Sequence, residues 1–453
     1  MTDIPANGEQ TDSPANGKQT DLPAVLVMVF CLFVLSFIAG ATAYAYKVFP
    51  YTYLRNAYTA VNILYQMEVV REGLPYFLWA PAVHDGKGVT IYDRTAAFPG
   101  LTLIMSTDAQ EARLVDMEGE TVHRWARRFS EVWKNPTHLS KPLGDDYVFW
   151  RAAQVFPNGD LLVIYVGEGS TPWGYGLAKL DKDSNVIWTY SAQVHHDLTV
   201  GPDGRIYTLV HEMVQKPNAL APDIPLPYID DFLVVLSPDG KELERVSILE
   251  ALAKSDYPGV LPQIAASAAG KGDAIHTNAV ELVRKRTSSG GLTFEPGQVI
   301  ISMRNLSSIA LLDLKTKRVE WLIHGGWQVQ HDPDLLENGH IMLFDNRGNL
   351  AGGGASRILE FDPATGAEVW QYTGSDEAPF YSPWRGRQQK LPNGNLLITE
   401  SSGGRLFEVT PDKKIVWEYV TPVRGGKSQS YTPWITGGQR LAREELPFLD
   451  GGS

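Results

Sequence analysis

The chain is 453 residues long, carries 52 acidic residues against 40 Lys and Arg, and has a formal charge of −12 at pH 7. That balance excludes a nucleic-acid binder built on a basic face, since phosphate backbones are held by clustered cations. A single cysteine, Cys31, excludes an intrachain disulfide, a CxxC redox pair and a cysteine metal cage, and 42 Gly with 29 Pro favour many short strands joined by turns.

Residues 1–21 contain a tandem nonapeptide, TDIPANGEQ then TDSPANGKQ. Such a segment buries too little apolar surface to offset its ordering entropy and reads as a disordered acidic tail. Residues 22–46, LPAVLVMVFCLFVLSFIAGATAYAY, contain no charge and are long enough to span a bilayer. Small residues at Ala41, Ala43 and Ala45 are compatible with signal cleavage, but a signal begins basic and this tail holds four acids and one Lys. The reading is an uncleaved anchor. Lys47 and Arg55 after the span would leave the large domain in the cytoplasm by the positive-inside rule, which long domains follow poorly, so the residues alone leave the side open. Residues 47–98 read as a helical lead segment, with a helix around Tyr53 to Glu72.

From residue 99 to 440 one module recurs: an apolar strand, a PxG-type turn, a second strand, a third ending near Asp, a turn, and a last strand closing on Trp. AQVFPNGDLLVIYV, DLTVGPDGRIYTLV, GQVIISMRNLSSIALLDLKTKRVEWLI, PDLLENGHIMLF and QQKLPNGNLLITE show it, and LTLIMSTDAQEARLVDMEGETVHRWA is an earlier copy with a degenerate first half. About six four-stranded units with a closing Trp (Trp125, Trp188, Trp321, Trp370, Trp417) predict an all-β, six-bladed β-propeller behind an N-terminal transmembrane helix. Residues 441–453 read as a C-terminal tail. The Trp residues themselves read as blade-to-blade packing.

In a propeller the first strand of each blade lines the central channel and the second returns beside it. The start of one and the end of the other therefore meet at one mouth. Eight positions before the turn glycine stand Arg151, His196, His331 and Gly386; seven after it stand His211, Arg304 and Asn346. His276 opens the first strand of the unit whose hairpin is widened by RKRTSSGGLTFEP, and it too should face the channel. His195 should point away if period two holds, so it reads as structural, and His123, His324 and His340 receive no role. Tyr381, Trp384 and Trp173 are loop aromatics that would suit a phenol pocket, with loop packing the simpler reading.

Histidine is a common metal ligand, but an arginine among the ligands would repel a divalent cation. Arg instead donates paired hydrogen bonds to an oxyanion. A neutral imidazole can attack sulfur or phosphorus and form a transient covalent intermediate. No phosphate-cradling GxxxxGK[ST] loop is present, so a donor without nucleotide is the simpler assumption. No metal or other cofactor is expected.

The stretches HHDL, IHTNAV, SMRNLSSIALLD and QHDPDLLENGHIMLFDNRG, in that order, resemble the motifs of the PAPS-independent arylsulfotransferases, bacterial six-bladed propellers acting on aryl sulfates. GETVHRW at the end of the first copy adds to the resemblance, which covers roughly Gly100 to Pro422. It implies ping-pong transfer of a sulfuryl group from a phenolic sulfate ester to a phenol acceptor. His331 matches the histidine that becomes sulfated; His276, Arg304 and His196 match residues that hold the group and assist the leaving phenolate. Asn346, His211 and Arg151 are then candidate substrate-binding residues. A cysteine pair that some members carry before the nucleophile is missing here, and an anchor with a short lead replaces the β-sandwich of others. Because the family is typically exported, the resemblance also implies a periplasmic or extracellular propeller. The alternatives are a non-catalytic propeller scaffold on a membrane anchor, or a quinone-binding propeller dehydrogenase, which would want a Ca²⁺ cage and stacking Trp residues where this chain places His and Arg.

Overall fold

The computed structural model describes residues 22–46, 48–257, 259–268 and 272–451. The tail at residues 1–21, Lys47 and the last two residues lie outside the described residues. The chain divides into two units, one ending at Glu68 and one beginning at Val69. The first contains the helix Leu22–Tyr46 and most of a second helix, Tyr51–Arg71. At about 1.5 Å per residue the former is longer than the roughly 30 Å hydrocarbon core of a bilayer. Its apolar side chains, Leu26, Phe33 and Phe37 among them, are exposed. Such a helix fits a membrane anchor or a signal sequence.

The second unit is a six-bladed propeller. Blade 1 comprises Ile435–Leu441, Leu101–Ser106, Glu111–Val115 and Thr121–Ala126, from the axis outward. Blade 2 holds Val148–Val155, Leu161–Gly167, Gly174–Leu180 and Val186–Tyr190; blade 3, Val194–Val200, Ile206–Val214, Tyr228–Leu236 and Glu242–Ser247. Blade 4 holds Thr277–Leu282, Val299–Met303, Ser308–Asp313 and Arg318–His324; blade 5, His331–Leu335, Ile341–Asn349, Ala355–Phe361 and Glu368–Tyr372. Blade 6 holds Arg387–Lys390, Leu396–Glu400, Arg405–Val409 and Ile415–Val420. All pairings within blades are antiparallel, and the six inner strands touch one another around a closed ring. Apolar faces of neighbouring blades pack together, and the closing Trp residues reach the next blade: Trp125 Nε1 donates to Gly159 O at 2.9 Å and Trp417 Nε1 to Met117 O at 3.0 Å.

Two features of the inner hairpins position the site. The turn glycines predicted from PDG and ENG, Gly204 and Gly339, take φ of 77° and 82°, values an L side chain rarely adopts. Each donates its N–H three residues back, to Gly201 O and Leu336 O. Further along, five of the six inner strands carry a register shift near their start: between Trp150 and Ala153, His195 and Leu198, Thr277 and Ala279, His331 and Asp334, and Ile435 and Gly437. A β-bulge adds a residue to one strand and re-aims side chains. Repeated around the ring, it turns Arg151 and the histidines toward one mouth.

The structure differs from three boundary expectations. The lead segment is helical only to Arg71, because Gly73 (φ 85°) and Pro75 end the helix. Beyond them Trp79–Pro81 pairs with Tyr431–Pro433, and Gly88–Tyr92 adds a fifth strand to blade 6. The degenerate first half of the earliest repeat has its explanation at the other end of the chain. Ile435–Leu441 pairs with Leu101–Ser106 and supplies the missing inner strand. Arg440 fixes that closure from a fully buried position, donating to Thr102 Oγ1 at 2.8 Å and pairing with Glu408 at 3.3 Å. Part of the expected C-terminal tail is packed as well, with Phe448 resting on His123 and Trp125.

Candidate active site

Where the inner strands begin, a cavity of about 310 Å³ is lined by Arg151, His196, His276, Arg304, His331 and Arg385, with Glu168 and five aromatic residues, Phe77, Phe149, Trp173, Trp384 and Trp434. His331 opens the inner strand of blade 5, and its proton position is fixed by its neighbours. Asn346 donates from Nδ2 to Ser382 O at 2.6 Å and to Arg385 O, so its Oδ1 is the atom turned toward His331 Nδ1, 2.8 Å away. Val329 O lies 2.9 Å from the same nitrogen. Two acceptors at Nδ1 require Nδ1–H, which leaves the Nε2 lone pair free. Burial, followed by Arg151, holds the His331 imidazole well below its ordinary pKa, so it is neutral and nucleophilic.

His276 stands just before blade 4 in a left-handed conformation (φ 54°) and donates from Nδ1 to Asp273 Oδ2. Its Nε2 is buried without a hydrogen-bond partner among the described residues. Burial, then Arg304, push its pKa down to about 4, so it too is neutral. His196 (φ 57°) occupies the blade 3 bulge, and Trp173 stacks on His276 at 5.1 Å while meeting His196 edge-on at 5.8 Å.

Two guanidiniums face these imidazoles without a carboxylate partner among the described residues. Arg304 begins a short 3-10 turn after the second strand of blade 4. It reaches only Asn305 Oδ1 (3.2 and 3.3 Å), with the Trp384 ring 6.0 Å away. Arg151 makes one long contact, 3.4 Å to Thr436 O. Burial lowers Arg304 to about 10; burial, then Arg385 and Arg387, lower Arg151 to about 9. Arg385, by contrast, is paired with Glu168 at 2.6 Å and lies over Phe149 and Trp434. The result is a pocket in which two buried guanidiniums lack a directly paired carboxylate among the described residues, which favours an anion.

Five of the seven residues singled out from sequence, His331, His276, Arg304, His196 and Arg151, line this cavity. Asn346 stands behind His331. His211 is fully buried behind the wall, stacked on His195 at 4.2 Å and meeting Trp173 edge-on at 4.7 Å. Trp173 and Trp384 line the pocket, whereas Tyr381 does not and is exposed. His195 is not among the residues lining the cavity, but its Nδ1 lies 2.7 Å from His196 Nδ1. Sequence reasoning missed Phe77, Phe149, Glu168, Asp273, Arg385 and Trp434. Arg385 had a usable signal, since it adjoins Gly386 at the shared address.

The sequence profile of the arylsulfotransferase (ASST) family matches residues 152–422, more than half of the chain. A search of curated proteins found no match. Among solved structures, a protein of unknown function from Bacteroides caccae is similar over 75% of this chain and 98% of its own, at 11% identity and a TM-score of 0.47. A streptogramin B lyase covers 80% of this chain and 96% of its own at 12% identity and a TM-score of 0.38. Virginiamycin B lyase from Staphylococcus aureus covers 76% and 88%, at 10% identity and a TM-score of 0.37.

Proposed function

The chain belongs to the arylsulfotransferase family, and from that premise we propose that it moves a sulfuryl group from a phenolic sulfate ester to a phenol acceptor through a covalent adduct on His331. One observation carries this reading: Asn346 and Val329 hold the His331 proton on Nδ1, leaving a neutral Nε2 in a cavity with two unpaired guanidiniums. In the first half-reaction Nε2 attacks sulfur as the bond between sulfur and the phenolic oxygen breaks. Arg304 and Arg151 stabilise the charge on the sulfuryl oxygens through the transition state. The acceptor phenol then gives its proton to an imidazole and attacks the same sulfur, restoring His331. Splitting the transfer this way makes it ping-pong. His276, whose Nε2 is bare and whose Nδ1–H is held by Asp273, is oriented to receive a hydrogen bond from a phenol.

The aromatic wall of Phe77, Phe149, Trp173, Trp384 and Trp434 suits flat aryl groups. Asn346 and His211 act one layer back, as positioning residues. In this reading residues 22–46 tether residues 99–440 to a membrane, with the propeller on the periplasmic or extracellular side, where sulfate esters from outside the cell are met. The test is incubation with an aryl sulfate and no acceptor, followed by peptide mass analysis. A gain of one SO₃ on His331, absent in His331→Ala and discharged by added phenol, supports the reading. An unmodified His331 with turnover intact would sink it.

A further inference from the structure

Behind His196 lies a second shell of titratable groups that the transfer described above leaves unused. His195 is fully buried, and its Nδ1 is 2.7 Å from His196 Nδ1, so these two nitrogens share one proton. On its other side His195 Nε2 has no hydrogen-bond partner among the described residues and lies 3.6 Å from Asp231 Oδ1. Asp231 is itself buried, and its second oxygen accepts the Thr277 N–H at 2.7 Å. Oδ1 is thus the oxygen left to carry a proton toward His195. Burial, then the nearby Asp273, raise this carboxyl well above its ordinary range, while burial holds His195 down at about 3. Both are neutral at rest. The groups facing the pair are His211, stacked on His195; Asp230, next along the strand; Asp273 and His276 at the head of blade 4; and Arg151 across the cavity.

His195, His211 and Asp231 offer ligand atoms within 4.8 Å of one another, the spacing of a metal site. The tautomer of His211 argues against one. Gly174 N–H donates to His211 Nε2 at 3.1 Å, so a neutral His211 carries its proton on Nδ1, the one nitrogen left to offer an ion. The cluster is better suited to protons than to a cation.

We propose that Asp231, His195 and His196 form a proton relay that stores the proton needed by the leaving phenolate and takes back the proton of the acceptor phenol. The proposal rests on the sulfuryl-transfer reading above. As the bond between sulfur and the phenolic oxygen breaks, His196 gives its Nε2 proton to that oxygen. Its Nδ1 takes the proton on His195 Nδ1, and His195 Nε2 takes the proton of Asp231, leaving a carboxylate. In the second half-reaction the acceptor O–H bond breaks and the same shifts run in reverse, so no proton is exchanged with solvent. A contraction of less than an ångström, of the kind catalytic hydrogen bonds undergo on substrate binding, brings this 3.6 Å pair within hydrogen-bond reach. His196 is the catalytic residue of the three; His195 and Asp231 act through it.

The test is Asp231→Asn. Thr277 N–H keeps the amide oxygen, so the amide NH₂ faces His195 and preserves the contact but has no acidic proton to give. Transfer from phenyl sulfate, whose leaving group needs a proton, should fall about 10²-fold. Transfer from p-nitrophenyl sulfate, whose leaving group is stable as the anion, should fall less than about five-fold, steepening the dependence of rate on leaving-group pKa. Equal losses on both donors, or none on either, would overturn the relay. If the variant does not fold, the wild-type rate on phenyl sulfate in mixtures of H₂O and D₂O decides instead. A bowed plot, from several protons moving together, supports the relay, and a straight line overturns it. Mass analysis of wild-type protein with donor alone separates the two claims. SO₃ on His331 with failed relay tests leaves sulfuryl transfer standing, while no adduct removes both.

Discussion

The propeller axis holds two polar chambers of opposite character, and the contrast shows how this fold separates stability from chemistry. The first is the cavity at the head of the inner strands, where Arg151 and Arg304 have no carboxylate partner among the described residues. The second lies further along the same strands and is lined by Asp197, Glu281, Asp332, Asp334 and Arg387. There the guanidinium is paired. Arg387 donates to Asp197 and, at 3.3 Å, to Asp332, and Gln388 donates to Asp332 Oδ2 at 2.9 Å and to Asp334 Oδ2 at 3.0 Å. Four carboxyls share that one cation, and burial raises those of Asp332 and Asp334 and holds Glu281 up at about 7, so part of the acidity is discharged. The two chambers share neighbours in sequence: His196 with Asp197, and His331 with Asp332. The bulge at each of these positions sends one member of each pair to each chamber. Paired buried charge ties blades together, whereas unpaired buried charge awaits a ligand.

The largest effect that would test this division is at the proposed nucleophile. His331→Ala should lower kcat by roughly 10⁴-fold or more while leaving the fold intact, since the covalent adduct on Nε2 can no longer form. Rates and thermal melting on the same sample check both halves of that statement. A variant that keeps its rate would assign the chemistry elsewhere.

The next prediction sets the chambers directly against each other. Arg304→Gln should cost about 10² to 10³ in kcat/KM, the usual effect of removing one charge-stabilising donor, with Tm unchanged or raised because an unpaired buried cation is lost. Arg387→Gln should do the opposite in kind. It strands Asp197 and Asp332 and should lower stability by roughly 3–5 kcal/mol. Denaturant melts of the two variants, read beside their steady-state kinetics, break the comparison if Arg304→Gln melts early or Arg387→Gln does not.

Smaller again is the effect expected at Asn346. Replacing it with Ala removes one acceptor from His331 Nδ1 but leaves Val329 O, so the tautomer is weakened and not lost. A loss of about 1–3 kcal/mol in transition-state stabilisation, or about five- to 150-fold in kcat, is the corresponding scale. An unchanged rate in Asn346→Ala would mean that Asn346 serves the Ser382 and Arg385 carbonyls and not the imidazole.

How far the sequence reached can be seen in the same residues. Counting eight back from a turn glycine found Arg151, His196 and His331, because a hairpin of fixed length repeats its geometry in every blade. The blade architecture was legible for the same reason. What local pattern cannot express was not found. Phe77 reaches the cavity from the lead segment, and Trp434 adjoins a closing strand that pairs with residues more than 300 positions earlier. Period two says nothing of the contact between His195 and His196, which arises at the bulge between His195 and Leu198. The acids of the second chamber went unread because a row of carboxylates in sequence says nothing about the one arginine, Arg387, that gathers them.

The finest distinction between the chambers lies in pH. Burial and nearby Arg151 lower the His331 pKa, and burial with Arg304 lowers that of His276 to about 4. A lowered imidazole pKa means the reactive neutral form persists to more acid pH than for free histidine, near 6.5. On p-nitrophenyl sulfate, kcat/KM should therefore be flat from pH 7 down to about 5, where an ordinary histidine nucleophile would already have lost most of its rate. Arg387→Gln should leave that profile in place, because the second chamber lies away from the imidazoles. A limb near 6.5 on the acid side would show instead that the His331 imidazole feels water as a surface histidine does, and that the cavity is wetter than its walls imply.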